Sequence, residues 1–551
     1  MAFELEHDWQ GNLATPRARI GERAKTRLLV ILSIVWIFMG LVGHEPWKPD
    51  ESQSISIVKS MLSGENLLAP LAVGQSRMEH PPLYYLSAAG TAKLLSPVLE
   101  THDAARIVTG LWMAVTLLLV GMIGRELWGF GAGRQTTFIF LGSMGLVLTA
   151  HLLRPEAAGL AGCAMGFYAL ALARRRPYRA SVLLGTGVGI SFLAIGLIPA
   201  LILLATAALL PLLFSAWRNR SYLVIVSIAA LFAAPWLLIW PLLSWFIAPE
   251  PFLAWWQHSV ESISGANYWY FIKTLSWYAL PALPLALWGL WQYRHHLMSE
   301  PKFQLSIIFF FVSFILTGTT NSPTETNALV FLLPLAALAG GSVETLKRGA
   351  AGLLNWFGLM LFGTMAFLIW LGWYAMLFGW PAKLNERMQV LSGMDNPVFG
   401  WLGFVAAIVI TVTWVLVINN SRRSNRAAVT DWAVGSTMVW SLLMCLWLPW
   451  IDSARSYAGV MHGIATAAPD NFRCVQSAGL GGSQEALLDY YTDIRVQQAG
   501  TETACDLYLI QDERGRTHVQ PGPEWQLIWQ GKRAAERRES FRLYQKDNTP
   551  G

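Results

Sequence analysis

Apolar residues run in long blocks along most of this chain, and the blocks have the length a helix needs to cross a bilayer, about 20 residues. Thirteen are predicted as helical spans, at 28 to 45, 104 to 124, 135 to 151, 156 to 173, 180 to 196, 197 to 214, 222 to 246, 273 to 292, 304 to 320, 326 to 343, 352 to 378, 398 to 418 and 430 to 450. Only Gly196 and Pro199 punctuate the fifth and sixth, so that pair reads as two spans or as a re-entrant hairpin. After Trp450 the blocks stop. Short strand-like runs follow at 472 to 475, 507 to 511, 525 to 530 and 541 to 545, with one amphipathic helix at 483 to 492. The expected organisation is therefore a membrane domain over 1 to 451 and a small α/β domain outside the membrane over 452 to 551.

Composition agrees with that pattern. Of 551 residues 54% are hydrophobic and 13% charged, too apolar for a soluble surface. Lys and Arg gather on alternate segment ends, at Arg17, Arg19, Arg23, Lys25 and Arg27, then Arg125 and Arg134, then Arg174, Arg175, Arg176 and Arg179, and again around residues 218 to 220, 294 to 302, 347 to 348 and 422 to 426. The positive-inside rule makes those ends, and the N-terminus, cytoplasmic. An odd number of spans then puts the C-terminal region on the far side. The net charge of +6 is explained by this basic fringe and calls for no nucleic-acid partner. The first block reads as a signal anchor, since no small-residue cleavage site follows it. Cys163 and Cys445 fall within apolar blocks, whereas Cys474 and Cys505 both lie after them. In an oxidising compartment the latter are either a disulfide or two buried thiols.

Polar chemistry concentrates in the first outer loop, 46 to 103. Pro49-Asp50-Glu51 opens it, and Glu79-His80-Pro81-Pro82-Leu83-Tyr84-Tyr85 follows some thirty residues later. Ionisable groups at a membrane face mark a functional site. Asp50 also has a plainer reading as an N-cap for the amphipathic stretch of Ile55, Val58, Met61 and Leu62. Arg154-Pro155-Glu156 stands at a second outer mouth, where Pro and Glu equally suit the first turn of a helix. Residues 247 to 272 form a long outer loop with His258, Glu261, Asn267, Tyr268 and Tyr270, and residues 321 to 327 make another polar turn. Lys383 and Arg387 are the remaining outer cations available to an anionic lipid. Transfer of a sugar needs a carboxylate to orient or deprotonate the acceptor, and positive charge or hydrogen-bond donors for the phosphate that leaves. Outside the cytoplasm the activated donor has to be lipid-linked.

Span number, loop placement, the early Pro-Asp-Glu, the later Glu-x-Pro-Pro-Leu and the outer C-terminal region together resemble the membrane-embedded GT-C glycosyltransferases. The likeness is in particular to the bacterial aminoarabinose transferases of lipid A, and extends to the protein mannosyltransferases. It implies a polyprenyl-phosphate sugar donor, a lipid A or other envelope acceptor, a site at the outer face of the inner membrane, and a monomer. It implies Asp50 as the catalytic-loop carboxylate, Glu79 and Glu156 as further acids of the same cavity, and Arg154 as a phosphate contact. Glu51, Tyr84, Tyr268, Lys383 and Arg387 are added as substrate-binding candidates. The residue after Glu79 is a donor-contacting Lys in the aminoarabinose transferases and is His80 here. The 247 to 272 loop is implied to close over the site. A divalent ion is no requirement; its implied ligands are Glu79 and His258, too few to define an ion. A transporter or flippase is the competing class, but it predicts internal repeats and charged, broken helices at the membrane midplane. A scaffold would not need Asp50, Glu79 and Glu156 on one side.

Overall fold

Helix coincides with every one of the thirteen apolar blocks, but several helices are shorter or interrupted. The computed structural model describes residues 22–73, 78–394, 397–421, 424–498, 505–513, 521–536 and 538–546. Among them seven helices are long and apolar enough to cross a membrane: Thr101–Trp128, Arg220–Ile247, Pro301–Gly318, Glu325–Thr345, Arg348–Phe378, Trp401–Asn420 and Asn425–Arg455. Thr26–Phe38, Glu156–Leu172 and Leu197–Leu213 are shorter apolar helices.

The interruptions have local causes. The block at 135 to 151 divides into Ala132–Leu141 and Met144–Thr149, and the block at 273 to 292 into Tyr268–Tyr278 and Ala282–Gln292. Pro281, just ahead of Ala282–Gln292, has no N–H with which to continue the helix that ends at Tyr278. The two breaks meet each other: the Met144 N–H donates to the Leu280 carbonyl at 3.0 Å, so groups released by the breaks stay paired in an apolar surrounding. Gly196, at φ +123°, separates Pro177–Ala194 from Leu197–Leu213 as two helices. The helices Glu156–Leu172 and Pro177–Ala194 approach so closely that a Cβ on Gly162 would stand 2.6 Å from the Ser191 backbone nitrogen. A seam of small residues permits that contact.

The last long helix continues to Arg455, past the change of composition at Trp450, and Ala458–Ala467 follows it. Beyond lie five strands: β1 (Val475–Ala478), β2 (Val496–Gln498), β3 (Leu507–Glu513), β4 (Trp525–Gly531) and β5 (Glu539–Lys546). Their order is β2-β1-β3-β5-β4. β1 runs parallel to β2 and β3, and β5 antiparallel to β3 and β4. The helix Gly482–Thr492 joins β1 to β2, as a parallel connection requires. The first strand begins at Val475 rather than 472, and β2 is an addition to the expected set; at three residues it leaves little alternation to read. Cys474 and Cys505, flanking β1 and β3, form a disulfide.

The sheet does not close a core of its own. Ile55, Val58 and Met61 of Ser52–Leu62 and Tyr84, Tyr85 and Ala88 of Leu83–Leu95 share one buried cluster with Leu487, Leu488, Leu507, Leu509, Phe541 and Leu543. Apolar burial of this kind is worth about 25 cal/mol per Å² and seats the sheet on the helices Ser52–Leu62 and Leu83–Leu95. Polar contacts add to it: Lys59 Nζ donates to the carbonyls of Asp489 and Tyr490, and the Tyr491 hydroxyl donates to Glu45 at 2.6 Å.

Candidate active site

Four chain segments meet where the loop helices, the membrane helices and the sheet adjoin. They enclose a cavity of about 260 Å³ lined by Pro49, Asp50, Gln53, Ser54, Glu79, His80, Tyr85, Arg154, Pro155, Glu156 and Ser483. Asp50 lies in the turn ahead of Ser52–Leu62, and Glu79 and His80 in the bend ahead of Leu83–Leu95. Arg154 and Pro155 precede Glu156–Leu172, and Ser483 is in the first turn of Gly482–Thr492. Each segment is thus a helix entry, and side chains on a helix lean toward its N-terminal end.

Arg154 organises the charges. Its Nη1 donates to Asp50 Oδ1 at 2.6 Å, and its Nη2 to Glu156 Oε1 at 2.7 Å. A planar guanidinium serves two carboxylates at fixed angles where an ammonium would not. The Thr326 hydroxyl donates to Glu156 Oε1 at 3.1 Å, so the polar turn at 321 to 327 does reach the site. His80 Nδ1 donates to the Ile195 carbonyl at 3.3 Å. That bond requires a proton on Nδ1, because a carbonyl only accepts. Tyr85 is buried, hydrogen-bonded to Ser54, and its phenol is pushed well up by burial first and then by the charges of Glu79 and Glu156. It stays a neutral donor.

The structure brings Asp50, Glu79, His80, Arg154 and Glu156 together. It separates the other expected site residues from them. Asp50 is no helix cap: Glu51 occupies that position, and its side chain makes no capping bond. Glu51, expected to bind substrate, is fully buried. It accepts from Arg106 Nε at 2.7 Å, Arg106 Nη2 at 3.2 Å and the N–H groups of Leu153 at 2.7 Å and Trp47 at 3.1 Å. Burial alone would raise its carboxyl, but the Arg106 charge and these bonds hold it below the ordinary value. Arg106 also donates to Asp103 at 2.7 Å and to the Leu41 carbonyl at 3.0 Å. Glu51 therefore ties the segment that carries Asp50 to the helix bundle.

Tyr84 is buried with its hydroxyl 2.6 Å from Thr109 Oγ1, and its neighbour Tyr85 faces the cavity instead. Successive helical residues point about 100° apart, so the phase of the helix decides between them. Tyr268 packs against Phe314 and Gly318. Lys383 and Arg387 are exposed on Ala382–Ser392, away from the cavity lining. The 247 to 272 segment is no open loop, since Pro249–Glu261 is a helix whose Phe252 and Trp255 are buried. His258 is exposed on it, and Glu79 lines the cavity without it. No group of three or more His, Cys, Asp and Glu side chains stands ready for a metal among the described residues. Residues that the sequence left unmarked are Gln53, Ser54 and Ser483 at the site and Arg106 beneath it. Arg106 alone carried a signal, a charge inside an apolar block.

This architecture is that of a multi-pass membrane protein with the GT-C fold. Over 95% of this chain and 98% of the other it superposes on the crystal structure of ArnT from Cupriavidus metallidurans bound to undecaprenyl phosphate, with a TM-score of 0.65 and 16% identity. In sequence the chain is similar to the undecaprenyl phosphate-alpha-4-amino-4-deoxy-L-arabinose arabinosyl transferases of Pseudomonas paraeruginosa and Serratia proteamaculans. The first is 25% identical over 369 residues, 62% of this chain and 64% of the relative. The second is 24% identical over 484 residues, 84% of this chain and 81% of the relative. The match thus spans less than two thirds of the Pseudomonas relative's length. No family model matches the chain.

Proposed function

We propose that this protein is a glycosyltransferase that moves a sugar from a polyprenyl-phosphate donor to an envelope acceptor, such as a lipid A phosphate, at the outer face of the inner membrane. The observation that carries the reading is the convergence of Asp50 and Glu156 on Arg154 within a cavity that also holds Glu79 and His80. Asp50 takes the acceptor proton as the acceptor oxygen bonds to the anomeric carbon. The carbon–oxygen bond to the donor phosphate breaks, and its electron pair leaves on the phosphate. The Nε2–H of an imidazolium at His80 meets the phosphate, since Nδ1–H is taken by the Ile195 carbonyl, and the carboxylates face the positive charge that develops on the sugar ring. Arg154 keeps Asp50 in place.

The reading includes thirteen spans, a cytoplasmic N-terminus and a C-terminal domain outside the membrane from about residue 452. Support comes from the alternating basic ends and from the seating of the sheet beside Asp50. The transporter reading loses ground because the broken helices satisfy one another through Met144 and Leu280 rather than opening around charged groups. The test is in vitro transfer by purified protein from undecaprenyl-phosphate aminoarabinose and from other undecaprenyl-phosphate pentoses and hexoses to lipid A, read by mass spectrometry. Product dependent on protein and on Asp50 is expected. Transfer from none of these donors, by folded protein, would refute the reading.

A further inference from the structure

Glu539, at the start of β5, is buried and collects hydrogen bonds from three elements. The Tyr457 hydroxyl donates to it at 2.7 Å, Gln511 Nε2 at 2.7 Å and Gln484 Nε2 at 3.1 Å. Lys48 Nζ lies 3.9 Å from the same carboxylate and donates to the Tyr457 hydroxyl at 3.3 Å. The Lys48 ammonium also lies 5.3 Å from the centre of the Tyr457 ring, and the Arg533 guanidinium 4.8 Å from it. Two of these partners adjoin the cavity in sequence. Lys48 is separated from Asp50 only by Pro49, and Gln484 follows Ser483, which lines the cavity.

One buried carboxylate is therefore connected to both walls of the site, the Asp50 turn on one side and the Ser483 turn on the other. None of Glu539, Tyr457 and Lys48 lines the cavity. A buried charge with several donors is held in a single arrangement, because any other leaves a donor or the charge unsatisfied. The proline between Lys48 and Asp50 removes a degree of freedom, so fixing Lys48 restricts where the Asp50 carboxylate can stand.

We propose that Glu539 and Tyr457 are positioning residues for the transfer reaction: acting through Lys48 and Gln484, they hold the C-terminal sheet against the catalytic turn and set the separation of Asp50 from the opposite wall. This rests on the glycosyltransferase reading above. A misplacement of about 1 Å costs on the order of 100-fold in rate, so relaxation of the clamp is read in turnover rather than in donor binding.

The experiment uses full-length Tyr457→Phe, Lys48→Met and the double variant, with Glu539→Gln as a second way of weakening the clamp. Tyr457→Phe keeps the ring and removes only the bridging hydroxyl. Transfer from the donor that the wild type uses is measured together with amide hydrogen exchange over residues 47 to 54. The expected result is a fall in kcat of about 10-fold or more with donor KM little changed, and faster exchange over 47 to 54. The double variant should be no worse than the more impaired single, because both break one connection. A merely structural role would lower Tm while leaving kcat per folded molecule unchanged in the singles and in the double variant. Normal kcat in Tyr457→Phe and Glu539→Gln, or losses that multiply in the double variant, would overturn the proposal. If the wild type transfers from no donor, the functional reading fails separately, and unchanged exchange over 47 to 54 in Tyr457→Phe still overturns the clamp.

Discussion

Arg154 holds Asp50 and does so from another helix entry, with Nη1 2.6 Å from Asp50 Oδ1 across 104 positions of sequence. Because Asp50 makes this bond and not a helix cap, its charge can be tested apart from the fold. Asp50→Asn should leave Tm near the wild-type value and lower turnover about 100-fold or more, the scale of a lost acid/base group. Transfer rates and thermal unfolding of the same preparation check this. Near-normal turnover would move the role to Glu156.

In the proposed reaction His80 is the group that meets the donor phosphate. Its Nδ1 is committed to the Ile195 carbonyl, so His80→Ala should raise the donor KM more than it lowers kcat. His80→Lys should restore donor use at least in part, since an ammonium supplies charge to the same phosphate. Initial rates over a range of donor concentrations distinguish this from a structural role, in which neither substitution would affect KM.

Glu51 and Arg106 should behave as parts of the fold. Removing one partner of a buried pair costs about 3 to 5 kcal/mol, so Glu51→Gln and Arg106→Met should lower Tm and yield. The Glu51 carboxyl titrates below its ordinary value in the folded protein, so the unfolded state binds its proton more readily. Its stabilisation is complete above the ordinary Glu value of about 4.3 and is lost as pH falls through the lower folded value. Acid unfolding of the wild type should therefore be steeper over that window than that of Glu51→Gln.

Orientation can be read with single cysteines in a protein whose Cys163 and Cys445 are replaced by Ala. A cysteine at exposed Glu100 should react with an impermeant maleimide from outside, and cysteines at exposed His295 or Ser424 only after permeabilisation. External labelling at Ser424 would reverse the topology that the basic ends predict.

The Cys474–Cys505 disulfide joins the chain ahead of β1 to the chain ahead of β3. Replacing both by Ser should cost about 2 to 4 kcal/mol of local stability, visible as earlier proteolysis of the sheet under heating. Thiol titration of the denatured, unreduced wild type should count two free cysteines, Cys163 and Cys445.

The apolar blocks and basic ends determine by themselves that this is a helical membrane protein, because bilayer thickness imposes a length on any apolar helix that crosses it. The two acidic motifs likewise point to the site, since charges at a membrane face are retained for chemistry. What the linear pattern does not contain is which neighbours share a cavity. Asp50 and Glu51 are adjacent and chemically alike, yet one meets Arg154 in the cavity and the other Arg106 in the interior. Tyr84 and Tyr85 differ only by a step of helical rotation. Ser483 and Thr326 reach the site because the shared apolar core seats the sheet on the first loop and the helix packing brings the 321 to 327 turn to Glu156. Those choices belong to tertiary structure, since the direction of a side chain follows from the phase and packing of its element, and contacts across hundreds of residues leave no periodic trace in sequence.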